Sequence, residues 1–321
     1  MKKPLSLAAP FQKFLPRTSP SVLLFIAYVF VALTSMIFFG VGIYPDRLVA
    51  LLLIPVLILG QARPFLRDWL PFLVLLFAYE YLRGIVGAFD SRVHYFAAPK
   101  VDMAIWGGNL PTVWLQAHLF NSNNLQWYDY LLTFSYLMHF VAPLLFALVL
   151  WLTNRDRFAR FTGGFLLLSY AGLTTYLLFP AAPPWMASDQ HLIPHVTKIL
   201  DQTMAFFPSR LGIPIPTIYE KFDPNLVAAI PSLHSAYPAI ILLFAVRFFR
   251  HWGLLLVPYA ISVWLMVIYF GEHYFIDVIL GIAYAAASFC TIEFLVPILV
   301  PWAKKQWSLH RAFHLSNGRA I

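Results

Sequence analysis

The sequence predicts an all-α, polytopic membrane bundle of about eight spanning helices, and three observations carry that expectation. Hydrophobic residues make up 60% of the 321-residue chain and charged residues only 11%, where a soluble domain carries about 25% charged residues. Mean hydropathy is +0.73. Long apolar runs recur along the chain, and Lys and Arg gather in the short stretches between alternate runs. Most of the surface of such a chain faces lipid rather than water.

A spanning helix takes roughly 20 apolar residues. Eight runs meet or approach that length: about 21–43, 46–60, 69–88, 128–152, 161–179, 231–249, 253–270 and 274–300. The first follows Lys2, Lys3, Lys13 and Arg17. Its apolar stretch from Val22 to Phe39 is longer than the roughly 7–15 residues of a signal-peptide core, and no clean small-x-small site follows, so it reads as a retained membrane helix. The second is short and holds Pro55. The others are long and apolar on most faces, which leaves little periodicity. With the N-terminus in the cytoplasm, fifteen of the 22 Lys and Arg fall on the inner side and six on the outer, and Arg83 lies inside a helix. This positive-inside bias predicts an even number of spans and two cytoplasmic termini. The short loops and the absence of a eukaryotic-looking tail point to a bacterial plasma membrane.

The net charge of +8 is spread over these topology clusters rather than over a solvated patch, which excludes a nucleic-acid partner. The single Cys290 excludes an internal disulfide and a cysteine metal cluster, and is expected to be a small core residue. There is no internal repeat. Three regions are expected: N-terminal helices with an outer interfacial segment over 1–127, a catalytic membrane core over 128–300, and a basic cytoplasmic tail over 301–321.

Two long segments, about 89–127 and 180–230, fall on the outer side, and long loops on one face are where function gathers. The first contains GGNLPTVWLQAHLF (107–120), expected as a short helix along the interface, with Trp106, Trp114 and Trp127 at headgroup depth. Three stretches at outer helix ends carry the chemistry. IPSLHSAYP (230–238) opens the sixth span. Pro231 suits a first helical turn, and the turn's backbone amides at Ser232 and Leu233, with the Ser232 hydroxyl, suit an anion. His234 projects from the same turn. GEHYFIDV (271–278) opens the eighth span and places His273 and Asp277 four residues apart on one helical face. A carboxylate beside an imidazole fixes its tautomer and stabilises its cation, and the helix N-terminus favours the neutral, nucleophilic form. TTYLLFPAAPPWM (174–186) ends the fifth span, where Pro180, Pro183 and Pro184 stop the helix and Trp185 marks the lipid boundary.

The residues alone also allow structural histidines, a zinc site on His234, His273 and Asp277, or a serine hydrolase on Ser232 or Ser235. No HExxH or cysteine pair supports the zinc site and no GxSxG elbow supports the hydrolase. Glu80 and Arg83 read as an intrahelical pair that lowers burial cost, or else as a cation that reaches the headgroup site. His139, in mid-helix, reads as packed.

PSLHSA (231–236) followed by HYFIDV (273–278) resembles the two histidine motifs of the type 2 phosphatidic acid phosphatase (PAP2) superfamily. YLLFPAAPPW (176–185) upstream narrows the resemblance to the inositol phosphorylceramide synthase branch, the aureobasidin targets, whose pattern is FPxAPPW, PSLHSA, HYxxDV. The resemblance covers roughly 107–290. It implies that His273 attacks phosphorus to form a phosphohistidine, that Asp277 orients it, and that His234 protonates the departing oxygen and then deprotonates the acceptor. It also implies amides near Ser232 and Leu233 on the phosphate, no metal and no cofactor. Pro183, Pro184, Trp185 and Tyr274 are the expected lipid-pocket residues. The chain departs from the wider superfamily at two phosphate-binding cations. Pro183 and Pro184 stand without the KxxxxxxRP basic residues, and the Arg expected six residues before His273 is Val267. Fewer cations suit a singly charged phosphodiester better than a phosphomonoester, although Arg210, Lys221, Lys198, Arg92 or Lys100 can fold in. The expectation is a lipid phosphotransferase that takes a phosphoinositol-like headgroup from a phospholipid donor and passes it to a lipid alcohol, with the site on the outer face. A lipid phosphate phosphatase is the alternative. A transporter without chemistry is the remote one, since neither an inverted repeat nor mid-membrane charge is present.

Overall fold

The computed structural model describes residues 62–86, 93–211 and 226–299, with the single residues 31 and 301. Helix dominates: α1 (Ala62–Val86), α2 (Ala97–Ile105), α3 (Pro111–Leu119), α4 (Trp127–Thr153), α5 (Arg155–Leu178), α6 (Pro184–Asp189), α7 (Ile199–Leu211), α8 (Leu233–Phe249), α9 (Val257–Tyr269) and α10 (Phe275–Cys290). There is no strand among the described residues, only isolated bridges joining His94 to Ala181 and Ala181 to Ala228.

Four helical stretches among the described residues are long and apolar enough to cross a membrane: Trp127–Thr153, Arg155–Leu178, Leu233–Tyr269 and Phe275–Leu299. The expected count of eight is therefore not established. The expected spans 21–43 and 46–60 lie outside the described residues, and α1 carries Arg63, Arg67, Asp68, Glu80 and Arg83 along an otherwise apolar helix. Leu233–Tyr269 covers two expected spans. A straight helix would separate Ser235 from Trp264 by about 44 Å at 1.5 Å per residue, yet the Trp264 indole donates to the Ser235 carbonyl at 3.0 Å. The chain thus folds back at Arg250, whose φ is 57°, through a 3-10 turn (Arg250–Leu256). Cys290 is exposed rather than part of the core, because it sits on the outward face of α10, whose buried residues include Gly281, Ala285 and Ser288.

The core is aromatic and joins α1, α4, α5 and α8. Trp69 of α1 packs on Phe158 of α5 at a centroid distance of 5.1 Å, and Phe165 packs on Tyr237 of α8 at 4.4 Å. Segment 1–127 is accordingly not packed apart from 128–300 where both are described. At the end remote from the histidines, buried Glu293 holds Arg247 at 2.8 Å and Arg160 at 3.5 Å, and Asp68 holds Arg155 at 2.8 Å.

Two features fix α10, the helix that follows His273. Gly281 lies against the first turn of α8, where a Cβ would overlap the Ser232 carbonyl and the Ser235 hydroxyl. A side chain there would push α10 away from α8. At the N-terminus of α10 the free amides are taken by two carboxylates. Asp102 of α2, fully buried, accepts from Phe275 N–H at 2.8 Å and Ile276 N–H at 2.9 Å, and Asp277 accepts from Tyr274 N–H at 2.9 Å. Such caps satisfy donors that a helix start leaves open and suit its positive dipole end.

Gly281→Ala is expected to overpack the α8–α10 seam and cost about 1–3 kcal/mol, read as a lowered melting midpoint of the detergent-purified protein; an unchanged midpoint would show that the seam can relax. Burial raises the Asp102 carboxyl to about 6, against the lowering effect of its two amide donors, and the charge of Asp277 adds to the rise. The folded chain therefore holds this proton more tightly than the unfolded chain. The group's contribution to stability is greatest below the ordinary carboxylate range and falls as pH rises from about 4 to about 6. Asp102→Asn is expected to flatten that part of the stability–pH profile, and a slope that persists in the variant would assign it to another group.

Candidate active site

The two histidines meet. His234, in the first turn of α8, brings Nδ1 to 3.1 Å from Nε2 of His273, and the ring centroids are 5.3 Å apart. His273 Nδ1 lies 3.0 Å from the Ala229 carbonyl. A carbonyl oxygen only accepts, so Nδ1 carries the proton and Nε2 carries the lone pair. His234 Nδ1–H is then the donor to that lone pair. The backbone of His273 is equally fixed. Its N–H and that of Glu272 both donate to the Val267 carbonyl, at 2.9 and 3.0 Å, across a turn in which Gly271 has φ 78°. Gly271 in turn accepts from Trp185 N–H at 3.1 Å.

Asp277 Oδ2 stands 3.7 Å from His273 Nδ1, an ion-pair distance rather than a hydrogen bond. The tautomer is set by the Ala229 carbonyl, with the fully buried carboxylate behind it. The other carboxylate oxygen, Oδ1, has no hydrogen-bond partner among the described residues. Asp277 is placed to balance a positive charge on the ring more than to orient it.

The Ala229 carbonyl is held by three stretches running side by side. Ala181 N–H donates to the Val227 carbonyl at 2.9 Å, Ala229 N–H to the Ala181 carbonyl at 3.3 Å, and His94 N–H to the Pro180 carbonyl at 2.8 Å. The FPAAPPW stretch is thus more than a helix stop, because its backbone braces the segment that fixes His273.

The histidines line a cavity of about 110 Å³ between α1, α4, α5 and α8, whose walls include Leu76, Phe140, Leu144 and Leu233 and whose polar rim includes Glu80, Arg83 and Glu272. Pro183 and Trp185 are among its lining residues. Pro184 and Tyr274 are not. Pro184 starts α6, and Tyr274 packs on the far side with Ala98 and Leu110, where burial, then the charges of Asp277 and Asp102, push its hydroxyl pKa up. Ser232 departs from the anion-binding expectation. Its N–H donates to the Asp277 carbonyl at 3.1 Å, and its hydroxyl accepts from Ser235 N–H at 3.2 Å as the N-cap of α8. Pro231 precedes that cap rather than opening the helix. Leu233 contributes its side chain to the cavity wall. Lys221 and Arg92 lie outside the described residues, as does the side chain of Arg210. Lys198 sits over Trp185 at 4.6 Å and pairs with Asp201 at 3.7 Å, and Lys100 sits over Phe96 at 5.8 Å. No group of three or more His, Cys, Asp or Glu converges as a metal-ligand set among the described residues.

Several site residues escaped sequence reasoning. Buried His139 stacks between His234 at 4.6 Å and Tyr237 at 4.9 Å, so it packs as expected but inside the site. Tyr136 stacks on His234 at 5.3 Å. Buried Gln116 of α3 donates to the Thr197 and Tyr269 carbonyls at 2.8 and 2.9 Å and ties the turn at Gly271 to the long loop. The adjacency of Glu272 to His273 was a signal for that residue. Nothing local signalled Asp102 or Gln116.

The PAP2 superfamily profile matches residues 110–291, more than half of the chain. The phosphoinositol dihydroceramide synthase of Bacteroides thetaiotaomicron is 32% identical over 164 residues, which cover 50% of this chain and 53% of that protein. The inositol phosphorylceramide synthase of Candida albicans is 27% identical over 199 residues, 61% of this chain and 41% of that one. The catalytic subunit of the Schizosaccharomyces pombe inositol phosphorylceramide synthase is 23% identical over 223 residues, 67% and 51% of the two chains. The chain spans about half the length of the curated relatives it matches. No solved structure matches it. The matched segment opens just before α3 and closes at the end of α10, and so contains both histidines, Asp277 and the braced proline stretch; the chain belongs to the PAP2 superfamily.

Proposed function

We propose that this membrane protein transfers a phosphoinositol-like headgroup from a phospholipid to a lipid alcohol of the ceramide class through a phosphohistidine on His273. The observation that carries the reading is the His234–His273 contact of 3.1 Å at the edge of a cavity with apolar walls. A phosphodiester that enters between the rings replaces that contact. His273 Nε2 attacks phosphorus, the bond from phosphorus to the diacylglycerol oxygen breaks, and His234, protonated on both ring nitrogens when the donor anion is bound, delivers its Nδ1 proton to that oxygen and is left neutral with its proton on Nε2. The ring of His273 then carries phosphorus on Nε2 and a proton on Nδ1. Its positive charge faces the Ala229 carbonyl and, at 3.7 Å, the Asp277 carboxylate. In the second half, His234 Nδ1 takes the proton of the acceptor hydroxyl as its oxygen attacks phosphorus and the N–P bond breaks. General acid–base assistance of this kind contributes about 10²–10⁴ in rate.

The names of the relatives support a phosphoinositol donor and a sphingolipid acceptor, and the absence of the superfamily's two basic motifs supports a singly charged phosphodiester. Placement of the histidines on the outer side, with cytoplasmic termini, is supported by the distribution of Lys and Arg, and a bacterial plasma membrane by the short loops.

His273→Ala and His234→Ala are each expected to abolish transfer from phosphatidylinositol to a fluorescent ceramide by the purified, folded protein. Full activity in either variant would end this mechanism. A phosphatase would instead release phosphate rapidly from a lipid phosphate with no alcohol present. The expected release is below a hundredth of the transfer rate, and a faster release would move the chain to the hydrolytic reading.

A further inference from the structure

We propose that Arg83, held by Glu80, is the cation that binds the phosphodiester to be transferred. The inference rests on the transferase reading for the identity of the anion, but its structural basis is independent of it. Arg83 is the only Lys or Arg among the described residues that line the histidine cavity. Its side chain is 14% exposed, and its Nη2 and Nε lie 3.0 and 3.2 Å from Glu80 Oε2, one helical turn earlier on α1.

A phosphodiester brings one negative charge into a cavity with apolar walls, where an uncompensated charge is costly. Several of the usual sources of compensation at this end of the bundle are already committed. The amides at the start of α10 go to Asp102 and Asp277, and Ser232 N–H goes to the Asp277 carbonyl. Val267, which stands where the superfamily's Arg is expected, is a fully buried apolar side chain. Among the described residues that line the cavity, α1 supplies a positive charge, on Arg83.

A merely structural role explains the pair poorly. The pair is only part-buried, with the Glu80 side chain 34% exposed, and partly exposed ion pairs contribute little to stability. The pair also lies on the cavity rather than in the Trp69–Phe158 core that anchors α1. A guanidinium carries five N–H donors in a planar fork that matches phosphate oxygens. Contact with one Glu80 oxygen is therefore compatible with phosphate binding, and Glu80 acts as a positioning residue that fixes the fork. Glu272, on the same rim and next to His273, adds a carboxylate suited to accept from headgroup hydroxyls.

The test uses the full-length protein carrying His273→Ala, which holds donor without turning it over. Phosphatidylinositol is titrated in mixed micelles, with the intrinsic tryptophan fluorescence change that is lost in a Trp185→Phe control as the readout, since Trp185 lines the cavity. Arg83→Gln in that background is expected to weaken binding about 100-fold, while binding of uncharged diacylglycerol stays within twofold. Because Arg83→Gln removes the partner of the Glu80 carboxylate, the double variant Glu80→Gln/Arg83→Gln is the decisive one, since it removes both members of the ion pair together. It is expected to lose phosphatidylinositol to the same extent, with a melting midpoint that shows it folded. Arg83→Lys, which keeps the charge but not the fork, is expected to fall in between. In the chain with His273 restored, kcat/KM for the donor is expected to drop about 10²–10³-fold in the double variant, as for removal of one anion-stabilising group elsewhere. If the double variant binds phosphatidylinositol as its parent does, or transfers with unchanged kcat/KM, Arg83 is not the phosphate cation and the transferase reading stands without it. If binding depends on Arg83 but the native chain passes nothing to ceramide, the site stands and the transferase reading falls.

Discussion

The site depends on one hydrogen bond, from His273 Nδ1–H to the Ala229 carbonyl at 3.0 Å. It decides which ring nitrogen carries the lone pair and therefore what His273 can do. A backbone carbonyl is a stricter guide than a carboxylate, because it cannot be protonated in the working pH range and cannot swing away on a side chain. The fold invests accordingly in holding that carbonyl still. Stretches 93–94, 180–182 and 227–229 lie side by side through backbone bonds, and the Tyr176 hydroxyl donates to the Pro231 carbonyl at 2.8 Å just beyond. The prolines of FPAAPPW end α5 so that the next residues run extended, which lets their amides and carbonyls face neighbours rather than their own helix.

The same logic explains why a helix N-terminus near a phosphate site is not itself the phosphate site. The first turn of a helix offers unpaired amides, and such groups either bind a ligand or are capped. In α10 they are capped by Asp102 and Asp277, and in α8 by the Ser232 hydroxyl. The caps make the helix starts rigid, which suits residues that must hold a geometry to within a fraction of an ångström. They also take the amides of Tyr274, Phe275, Ile276 and Ser235 out of use as anion donors. Capped in this way, the helix starts position the imidazoles, and the charge for an anion has to be supplied by side chains.

The sequence made the helical class legible through composition, and the chemistry legible through spacing. An imidazole and a carboxylate four residues apart share a helical face in any helix, and PSLHSA opens a helix wherever Ser can cap it. Other features were legible only in part. The fold-back at Arg250 was expected from the break between the spans 231–249 and 253–270, but the pairing of the two arms rests on the Trp264–Ser235 contact. The role of Asp102 was not legible at all. It lies 173 residues from Phe275, and no local pattern distinguishes a capping aspartate on a distant interfacial helix from a solvated one. Cys290 was misjudged for a related reason, since an apolar run in a membrane helix does not say which of its faces meets protein and which meets lipid.

On the proposed reaction, the acceptor is decided by what reaches His234 while phosphorus sits on His273. Nδ1 of His234 is the base that lies beside His273 Nε2 among the described residues, and its ring is flanked by Tyr136 and His139, at 5.3 and 4.6 Å, within a cavity walled by Leu76, Phe140 and Leu144. A hydroxyl on a lipid arrives with its chain already in apolar surroundings and lines these walls without leaving them. Water must be drawn into the same space without such a partner and loses hydrogen bonds in doing so. On this proposal the wall that disfavours water is also the wall that admits the alcohol, and the apolar part of the lining, more than either histidine, would separate transfer from hydrolysis on a shared catalytic pair.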